Sequence, residues 1–288
     1  MLHERAQAKV NLYLHVGGRR ADGYHALQSL VCFTDAGDEL QFESASDLRL
    51  ELEGPFGAVL GYTPDNLVLR AARALVQAAG RPLGARIRLI KVLPVASGIG
   101  GGSADAAAAL RGLSRLWQLK LEPAQLEHIA LELGSDVPVC LLSQPAEMSG
   151  RGEQVDKVEG LPQLPMLLVN PRVAVSTASV FRHLGRRADD PAPKAPAWPG
   201  LLTAGELVEW LKDTRNDMED AARSIAPVIG KVLVQLERSG ALITRMCGSG
   251  ATCYGLFADA ASCAGAAQAI ASVQPGWWVY PTRIAGRF

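Results

Sequence analysis

Residues 94–110 of this 288-residue chain read PVASGIGGGSADAAAAL, and this stretch decides both the fold and the ligand to expect. The preceding segment, 85–93, alternates apolar and polar residues and predicts a strand, while the alanine-rich run from Ser103 predicts a helix to about Trp117. Four glycines between positions 98 and 102 remove Cβ obstruction, so backbone N–H groups can approach a ligand closely. Because a helix N-terminus offers unpaired N–H donors and partial positive charge, we predict a phosphate-binding loop.

This loop differs from the common nucleotide-binding motifs. The chain has no GxxxxGK[ST] element, Ser103 stands where a GxGxxG fingerprint needs glycine, and the HRD and DFG elements of protein kinases are absent. These differences disfavour a dinucleotide-binding oxidoreductase. A glycine-rich turn that only permits tight packing remains the structural alternative.

Composition and charge indicate a folded protein whose ligand site is local. Hydrophobic residues make up 48% of the chain and charged residues 20%, as in ordinary globular proteins. Lysine plus arginine equals aspartate plus glutamate at 29 each, so we expect no nucleic-acid partner. No export signal or membrane-spanning run is visible, and the five cysteines are scattered without a CxxC pair. We therefore expect a protein of the cytoplasm with reduced thiols, no membrane partner, and a monomeric or homodimeric state.

The rest of the chain mixes strands and helices in an order typical of an α+β protein. Residues 8–16 alternate and predict a strand, with Lys9 and Asn11 on its polar face. Further expected elements are a strand at 40–52, a helix capped by Asp65 and ended by Gly80, helices at 123–134, 205–213 and 217–237, and strands at 166–170, 241–247, 252–257 and 277–284. Residues 135–138 are expected to be irregular because Pro138 follows, which puts Asp136 on a loop. The proline-rich stretch 185–200 is also expected to be irregular.

Three motifs together resemble one superfamily of small-molecule kinases. The glycine-rich stretch is similar to the central phosphate-binding motif of galactokinase, homoserine kinase, mevalonate kinase and phosphomevalonate kinase, the GHMP kinases. AKVNLYLHV at 8–16 and MCGSGATCYGLF at 246–257 resemble the first and third motifs of that superfamily. The resemblance implies a two-domain α+β GHMP-kinase-like fold, with an N-terminal nucleotide domain at 1–158, a C-terminal substrate domain at 159–288 and the active site between them.

Other segments narrow the resemblance to the kinases of 4-diphosphocytidyl-2-C-methyl-D-erythritol. These segments are KVNLYLHVGGRRADGYHALQSL, TPDNLVLRAAR, GSDVPVCL and NDMED, of which DGYH at 22–25 is the most specific. Cys247, where serine or threonine is commoner, and the proline-rich stretch depart from the family pattern. The open alternatives are a homoserine or mevalonate type of kinase and a non-catalytic nucleotide sensor on the same fold.

The resemblance also implies roles for individual residues. Lys9 and Asp136 are the expected catalytic residues, with Asp136 either removing the proton of the accepting hydroxyl or orienting that hydroxyl. ATP is the expected phosphate donor, and its binding residues are expected to be Asn66, Lys91, Pro94, Val95, Ala96, Ser97, Gly98, Ile99, Gly100, Gly101, Gly102, Ser103 and Ala104.

The resemblance also implies which residues contact the acceptor and which lie near the metal. Residues expected to contact the acceptor are Asn11, Tyr24, His25, Thr177 and Phe181, because aromatic rings can stack on cytosine and a histidine can bond its edge. Mg²⁺ is expected with the phosphates of ATP and without a dedicated protein cage, its nearest oxygen donors being Ser103 and Asp136.

Overall fold

The computed structural model describes residues 1–188, 190–200 and 202–285, and it confirms the α+β class. The strands are β1 (Leu2–Arg19), β2 (His25–Ala45), β3 (Leu48–Glu53), β4 (Gly84–Ile90), β5 (Ala146–Gly150), β6 (Gln154–Lys157), β7 (Pro165–Asn170), β8 (Ile243–Met246), β9 (Cys253–Leu256) and β10 (Trp278–Arg283). The helices are α1 (Gly57–Leu60), α2 (Leu67–Ala79), α3 (Gly101–Leu116), α4 (Pro123–Leu133), α5 (Val137–Leu142), α6 (Thr177–Leu184), α7 (Ala204–Lys212), α8 (Glu219–Ile225), α9 (Val228–Arg238) and α10 (Ala260–Val273).

The chain divides into two compact units, each assembled from separate segments. Unit 1 consists of Met1–Ala8, Gly37–Val95 and Gly100–Ser143. Unit 2 consists of Lys9–Ala36, Ala96–Ile99 and Gln144–Phe288. The domain boundary expected between residues 158 and 159 stays a prediction.

Unit 1 places the start of α3 shortly after β4, a strand of the sheet that also contains β2 and β3. In this sheet β3 runs parallel to β4, and β4 runs antiparallel to the second half of β2. Helix α3 packs against α2 and α5. Its alanines at positions 106–109 are fully buried, and its Gly112 lies directly against the ring of Phe42. Small side chains therefore let this helix pack closely, because a Cβ at Gly112 would overlap the ring.

Unit 2 is built around an antiparallel sheet with the strand order β10-β7-β9-β8. Helix α9 packs on β8 and β9, and α10 packs on β7 and β10. The buried core between these layers includes Leu14, Val16, Leu167, Val169, Ile229, Val232, Phe257 and Ile270. Two of these residues lie on β1, so the core also anchors the strand that carries Lys9 and Asn11.

Several predicted elements are confirmed, and others are wrong in detail. The region predicted as one strand at 40–52 is the end of β2 followed by β3, and the helix predicted at 217–237 is two helices separated at Ala226 and Pro227. Proline cannot continue a helix interior but fits its start, which explains the break before α9. The described part of 185–200 contains neither helix nor strand, as predicted, with Asp189 outside the described residues.

No helix in the described ranges combines the length and the apolar character that crossing a bilayer requires. All five cysteines, Cys32, Cys140, Cys247, Cys253 and Cys263, are buried free thiols, as predicted. Burial raises the pKa of the Cys32 and Cys247 thiols, so these side chains remain protonated and behave as small apolar groups.

Candidate active site

The glycine-rich loop connects β4 to α3 with a backbone that favours glycine. Gly98 and Gly100 have φ angles of +80° and +64°, which residues with a side chain rarely adopt. Helix α3 begins at Gly101 with Gly100 as its cap, so Ser103, where the sequence predicted the helix to begin, is its third residue. The amides of 101–103 have no intrahelical acceptor by helix geometry. They are the donors that a phosphate group can use.

The middle of this loop is bonded to the other two superfamily motifs within unit 2. The amide of Lys9, in the first motif, donates to the carbonyl of Ile99 at 3.0 Å. The amide of Thr252, in the third motif, donates to the carbonyl of Ser97 at 3.1 Å. Three segments that are far apart in the sequence therefore meet at residues 97–99.

Gly98 allows this close meeting of backbones. A Cβ on Gly98 would lie 2.6 Å from the carbonyl oxygen of Cys247 and 2.7 Å from that of Gly250. Both contacts are with backbone atoms, which cannot rotate away as a flexible side chain can. The loop and the third motif are thus packed with no room for a side chain at position 98.

We predict that Gly98→Ala destabilises the protein by about 2–4 kcal/mol, because strained φ and an overpacked contact each cost about 1–3 kcal/mol. We also predict weaker ATP binding, since relieving the overlap must displace the loop. Thermal denaturation and ATP titration measure the two effects. Gly240→Ala is the matched control, because Gly240 has φ of +86° and a Cβ added there would meet no neighbouring atom within 4 Å. Equal losses in the two variants would show that the contact with Cys247 and Gly250 contributes nothing.

The polar face predicted for β1 is buried. Lys9 and Asn11 are each only 4% exposed. The Asn11 amide donates through Nδ2 to Ser29 Oγ at 2.8 Å, and this hydroxyl donates to the Tyr13 carbonyl at 2.6 Å. The amide orientation is therefore fixed, and among the described residues no group donates to Asn11 Oδ1. This buried acceptor lies 3.6 Å from the position of a Cβ on Gly248, so it faces the third motif and suits a ligand hydroxyl.

Asp136 is the N-cap residue of α5 in unit 1, and it is half-buried. Its carbonyl accepts from the amide of Cys140 at 3.2 Å, which fixes the backbone under the side chain. The expectation of irregular structure at 135–138 is wrong for Val137 and Pro138, which begin this helix. A proline is tolerated there because the first turn of a helix does not use its own N–H groups.

Two of the three residues predicted to recognise cytosine contact each other. The rings of His25 and Phe181 stack with centroids 5.1 Å apart and planes inclined by 10°. Nδ1 of His25 lies 3.2 Å from the carbonyl oxygen of Gly17, so Nδ1–H donates to it, and in the neutral ring Nε2 is then an acceptor. Tyr24 is 55% exposed, and the guanidinium carbon of Arg151 lies 5.1 Å from its ring centroid.

Thr177 is the first residue of α6 and is bonded to the third motif. Its Oγ1 lies 2.7 Å from Oγ of Ser249. Because Phe181 is one turn further along the same helix, α6 connects the aromatic pair to the glycine motif. Unit 2 thus brings together Lys9, Asn11, the 97–99 loop, Thr177 and the His25–Phe181 pair.

Lys91 and Asn66, two of the residues predicted to bind ATP, have partners within unit 1. Nζ of Lys91 lies 2.5 Å from Oδ2 of Asp38 and 2.7 Å from Oδ2 of Asp105. Burial raises the pKa of Asp105 to about 7, although the Lys91 ammonium acts in the opposite direction. Asn66, and not Asp65 as predicted, caps α2 by accepting from the Val68 amide at 2.9 Å. Contact of Lys91 or Asn66 with a nucleotide stays a prediction.

The residues present fit a magnesium ion that is carried mainly by phosphates. Within the described ranges no group of three or more histidine, cysteine, aspartate or glutamate side chains could hold a metal. Mg²⁺ at a nucleotide needs only one or two protein oxygens, because phosphates and water complete its octahedron. The Ser103 hydroxyl and the Asp136 carboxylate are hard oxygen donors of the kind it prefers.

Sequence reasoning missed the residues that orient the predicted ones. Ser29 orients Asn11, Ser249 bonds Thr177, and Asp38 with Asp105 enclose Lys91. Asp105 did carry a signal, since it is the one charged residue in the alanine run of 104–110, where burial predicts a partner. Ser29 and Asp38 carried none, because their partners are 18 and 53 residues away in the chain.

Comparison with known proteins identifies the family. The family model described as GHMP kinases N terminal domain matches residues 66–144, and the model described as GHMP kinases C terminal matches residues 200–274. These matches include the central loop and the third motif. Both segments are hydrogen-bonded to β1 in the structure.

Relatives similar over nearly the whole chain share one name, 4-diphosphocytidyl-2-C-methyl-D-erythritol kinase. The protein of Parvibaculum lavamentivorans is 48% identical over 98% of this chain and 98% of its own, and that of Chelativorans sp. is 50% identical over 96% and 94%. A crystal structure titled 4-(cytidine 5'-diphospho)-2C-methyl-D-erythritol kinase superposes with a TM-score of 0.81 and 33% identity, covering 99% of this chain and 100% of that one. The chain belongs to the GHMP kinases and, among them, to the 4-diphosphocytidyl-2-C-methyl-D-erythritol kinase family.

Proposed function

We propose that this chain transfers the terminal phosphate of ATP to the 2-hydroxyl of 4-diphosphocytidyl-2-C-methyl-D-erythritol, in the non-mevalonate supply of isoprenoid precursors. The observation that carries the proposal is the meeting of three motifs at residues 97–99, beside the buried Lys9 and Asn11. Relatives of the same name at 48% and 50% identity support the choice of acceptor.

The phosphate donor binds along the glycine-rich loop in this proposal. The amides of 101–103 and the positive end of α3 attract the anionic triphosphate, although the chain has no net charge. Residues 94–104 form the phosphate site, with Ser103 and Asp136 available to the accompanying Mg²⁺. The ion supplies charge neutralisation of the phosphates, which phosphoryl transfer requires.

Three side chains act on the transferring group and the acceptor. Asp136 accepts or orients the proton of the 2-hydroxyl, and Lys9 offers positive charge to the transferring phosphate. Asn11 Oδ1, whose orientation Ser29 fixes, accepts a hydrogen bond from an acceptor hydroxyl. Since phosphoryl transfer depends chiefly on positioning and charge, so few groups are sufficient.

The cytidine end is recognised by Tyr24, His25 and Phe181, and Thr177 contacts the acceptor nearer its reacting hydroxyl. With Nδ1–H bonded to Gly17, Nε2 of His25 accepts from the exocyclic amine of cytosine. Uracil presents an oxygen at that position, and two acceptors would then face each other. The site therefore favours cytidine over uridine through one hydrogen bond.

ADP release by the purified protein with Mg-ATP tests the function. The acceptors compared are 4-diphosphocytidyl-2-C-methyl-D-erythritol, homoserine, mevalonate and the erythritol phosphate that lacks cytidine. Turnover of the first alone supports the proposal. Turnover of homoserine or mevalonate would show that the proposed acceptor is wrong. Binding of ATP without turnover of any acceptor would indicate a nucleotide sensor.

We predict that Phe181→Ala raises KM for the cytidyl acceptor by about 5- to 100-fold, because base stacking on an aromatic ring contributes about 1–3 kcal/mol. KM for ATP stays unchanged. Steady-state kinetics with each substrate varied in turn measure both constants. His183→Ala is the control, since His183 is exposed on the same helix and bonds to the carbonyl of Ser179. An unaltered acceptor KM in Phe181→Ala would remove Phe181 from the cytidine site.

A further inference from the structure

A buried ionic cluster in unit 1, formed by Asp38, Lys91 and Asp105, adjoins both ends of the phosphate loop. The side chains of these residues are 0%, 3% and 4% exposed. Asp38 lies on β2, Lys91 directly follows β4, and Asp105 lies in the second turn of α3. The cluster therefore connects three elements of unit 1 through charged groups that solvent hardly reaches.

The first end of the loop is held by Asp38. Its Oδ1 accepts from the amides of Val92 and Leu93 at 2.6 and 2.8 Å, and its Oδ2 bonds the ammonium of Lys91 at 2.5 Å. Val92 and Leu93 are the last two residues before Pro94. One carboxylate thus fixes the direction in which the chain enters the loop.

The second end is held by the bond from Lys91 to Asp105 at 2.7 Å. Lys91 Nζ also lies only 3.1 Å from the position of a Cβ on Gly101, the first residue of α3. The ammonium is therefore packed against the start of the helix whose amides would bind phosphate. Residues 94–100 lie between two attachment points that share the same lysine.

Stability alone does not account for Asp105. Its Oδ1 has no hydrogen-bond donor among the described residues, and a buried acceptor without a donor opposes folding. The surrounding residues of α3 are buried alanines, and alanine is the residue that a helix favours most. Buried ion pairs are also weak contributors to stability compared with apolar packing. Besides compensating the buried Lys91 ammonium together with Asp38, the carboxylate attaches α3 to the segment that precedes the loop.

We propose that Asp38, Lys91 and Asp105 are positioning residues for ATP, which set the spacing between the two ends of the phosphate loop. The Lys91 ammonium then acts on the nucleotide through the loop, because it is bonded to Asp38 and Asp105. The inference rests on the proposed function in one respect, namely that this loop binds ATP. Because amide donors must lie within a few tenths of an ångström of their phosphate acceptors, a small change in spacing weakens binding.

Asp105→Ala and Asp105→Asn test this role as a matched pair. Asparagine can still accept from Lys91, whereas alanine removes the attachment and leaves the Asp38–Lys91 pair intact. We expect Asp105→Ala to unfold at the same temperature as the wild type or higher, and to bind Mg-ATP about 10-fold more weakly by calorimetry. Asp105→Asn is expected to bind within about twofold of the wild type.

Steady-state kinetics distinguish a displaced phosphate loop from a general loss of folded protein. Loss of folded protein lowers apparent kcat without changing KM, whereas a displaced loop raises KM for ATP and leaves KM for the cytidyl acceptor unchanged. Lys91→Met removes the same Lys91–Asp105 bond by changing the lysine, and it should raise KM for ATP in the same way. Arg111→Lys is the control on the same helix, because Arg111 bonds Glu4 and the carbonyl of Cys140, away from the loop.

Several outcomes would overturn the inference. Wild-type affinity for Mg-ATP in folded Asp105→Ala would do so, and so would failure of that variant to fold, which would make the carboxylate a stability element. A wild-type protein that does not bind Mg-ATP would remove the proposed function itself. A protein that binds Mg-ATP normally but turns over a different acceptor would change the proposed function and leave the positioning role in place.

Discussion

Asp136→Asn is expected to lower kcat by about 10²- to 10⁴-fold, the contribution typical of a positioned proton acceptor. Asparagine keeps the shape of the side chain, and the hydrogen bond from the Cys140 amide to the backbone carbonyl of residue 136 is unaffected. The phosphate loop is unchanged and an amide oxygen at this position can still face Mg²⁺, so binding of ATP should stay within about threefold of the wild type. Steady-state ADP release gives kcat, and calorimetry with Mg-ATP gives the binding constant.

Comparison of Asp136→Asn with a second variant, Asp136→Ala, decides whether Asp136 removes the proton of the acceptor hydroxyl or orients that hydroxyl. An amide oxygen still accepts a hydrogen bond from the acceptor hydroxyl but cannot take its proton. If Asp136 mainly orients the hydroxyl, Asp136→Asn retains more activity than Asp136→Ala; if it removes the proton, both variants fall equally. Asp156→Asn, at an exposed position on β6, controls for the loss of one negative charge. A kcat within threefold of the wild type in both Asp136→Asn and Asp136→Ala would exclude Asp136 as a catalytic residue.

Local patterns were sufficient to predict the segments that carry the site. The alternation at 8–16 and the glycines at 98–102 depend on neighbouring residues only, and the structure has a strand and a strand-to-helix loop there. Helix ends with a strong local signal were also predictable, such as Pro123 at the start of α4 and Gly80 after α2. Steric rules of this kind apply within one turn or one pleat.

Features set by distant segments were not predictable from such patterns. The polar face of β1 reads as solvent-exposed, yet Lys9 and Asn11 are buried because unit 2 packs residues 97–99 and 248–252 around them. Lys91 reads as a ligand-facing cation, yet its ammonium is bonded to Asp38 and Asp105. In each case at least one deciding partner is remote in the sequence, and tertiary packing determines which polar groups remain available to a ligand.

Family resemblance and structural geometry contribute different information about the residues of the site. Resemblance indicates which residues to expect in the reaction, but it does not state how each side chain is held. The structure shows that Ser29 fixes the amide of Asn11 and that Ser249 bonds Thr177. Such supporting residues set the orientation of the groups that meet the substrate, so their substitution should alter catalysis without removing a functional group.

Lys9→Met is expected to lower kcat by about 10²- to 10³-fold, the loss typical of removing one electrostatic stabiliser from a buried site. Lys9 is 4% exposed, and its positive charge lowers the pKa of the Cys247 thiol against the dominant upward effect of burial. A charge in such surroundings is poorly screened by water, so it acts strongly on a transferring phosphate. Methionine has a similar length and no charge, which isolates the electrostatic contribution. Single-turnover ADP release measures the chemical step directly.

Two further variants test whether charge at this position is what matters. Lys9→Arg keeps the positive charge on a wider side chain, and we expect it to recover at least part of the activity lost in Lys9→Met. Lys157→Met removes an exposed charge at the end of β6 and should leave kcat unaltered. Thermal denaturation establishes that each variant is folded at the assay temperature. A folded Lys9→Met protein with more than about one third of wild-type kcat would contradict an electrostatic role, because that loss corresponds to less than about 0.7 kcal/mol of transition-state stabilisation.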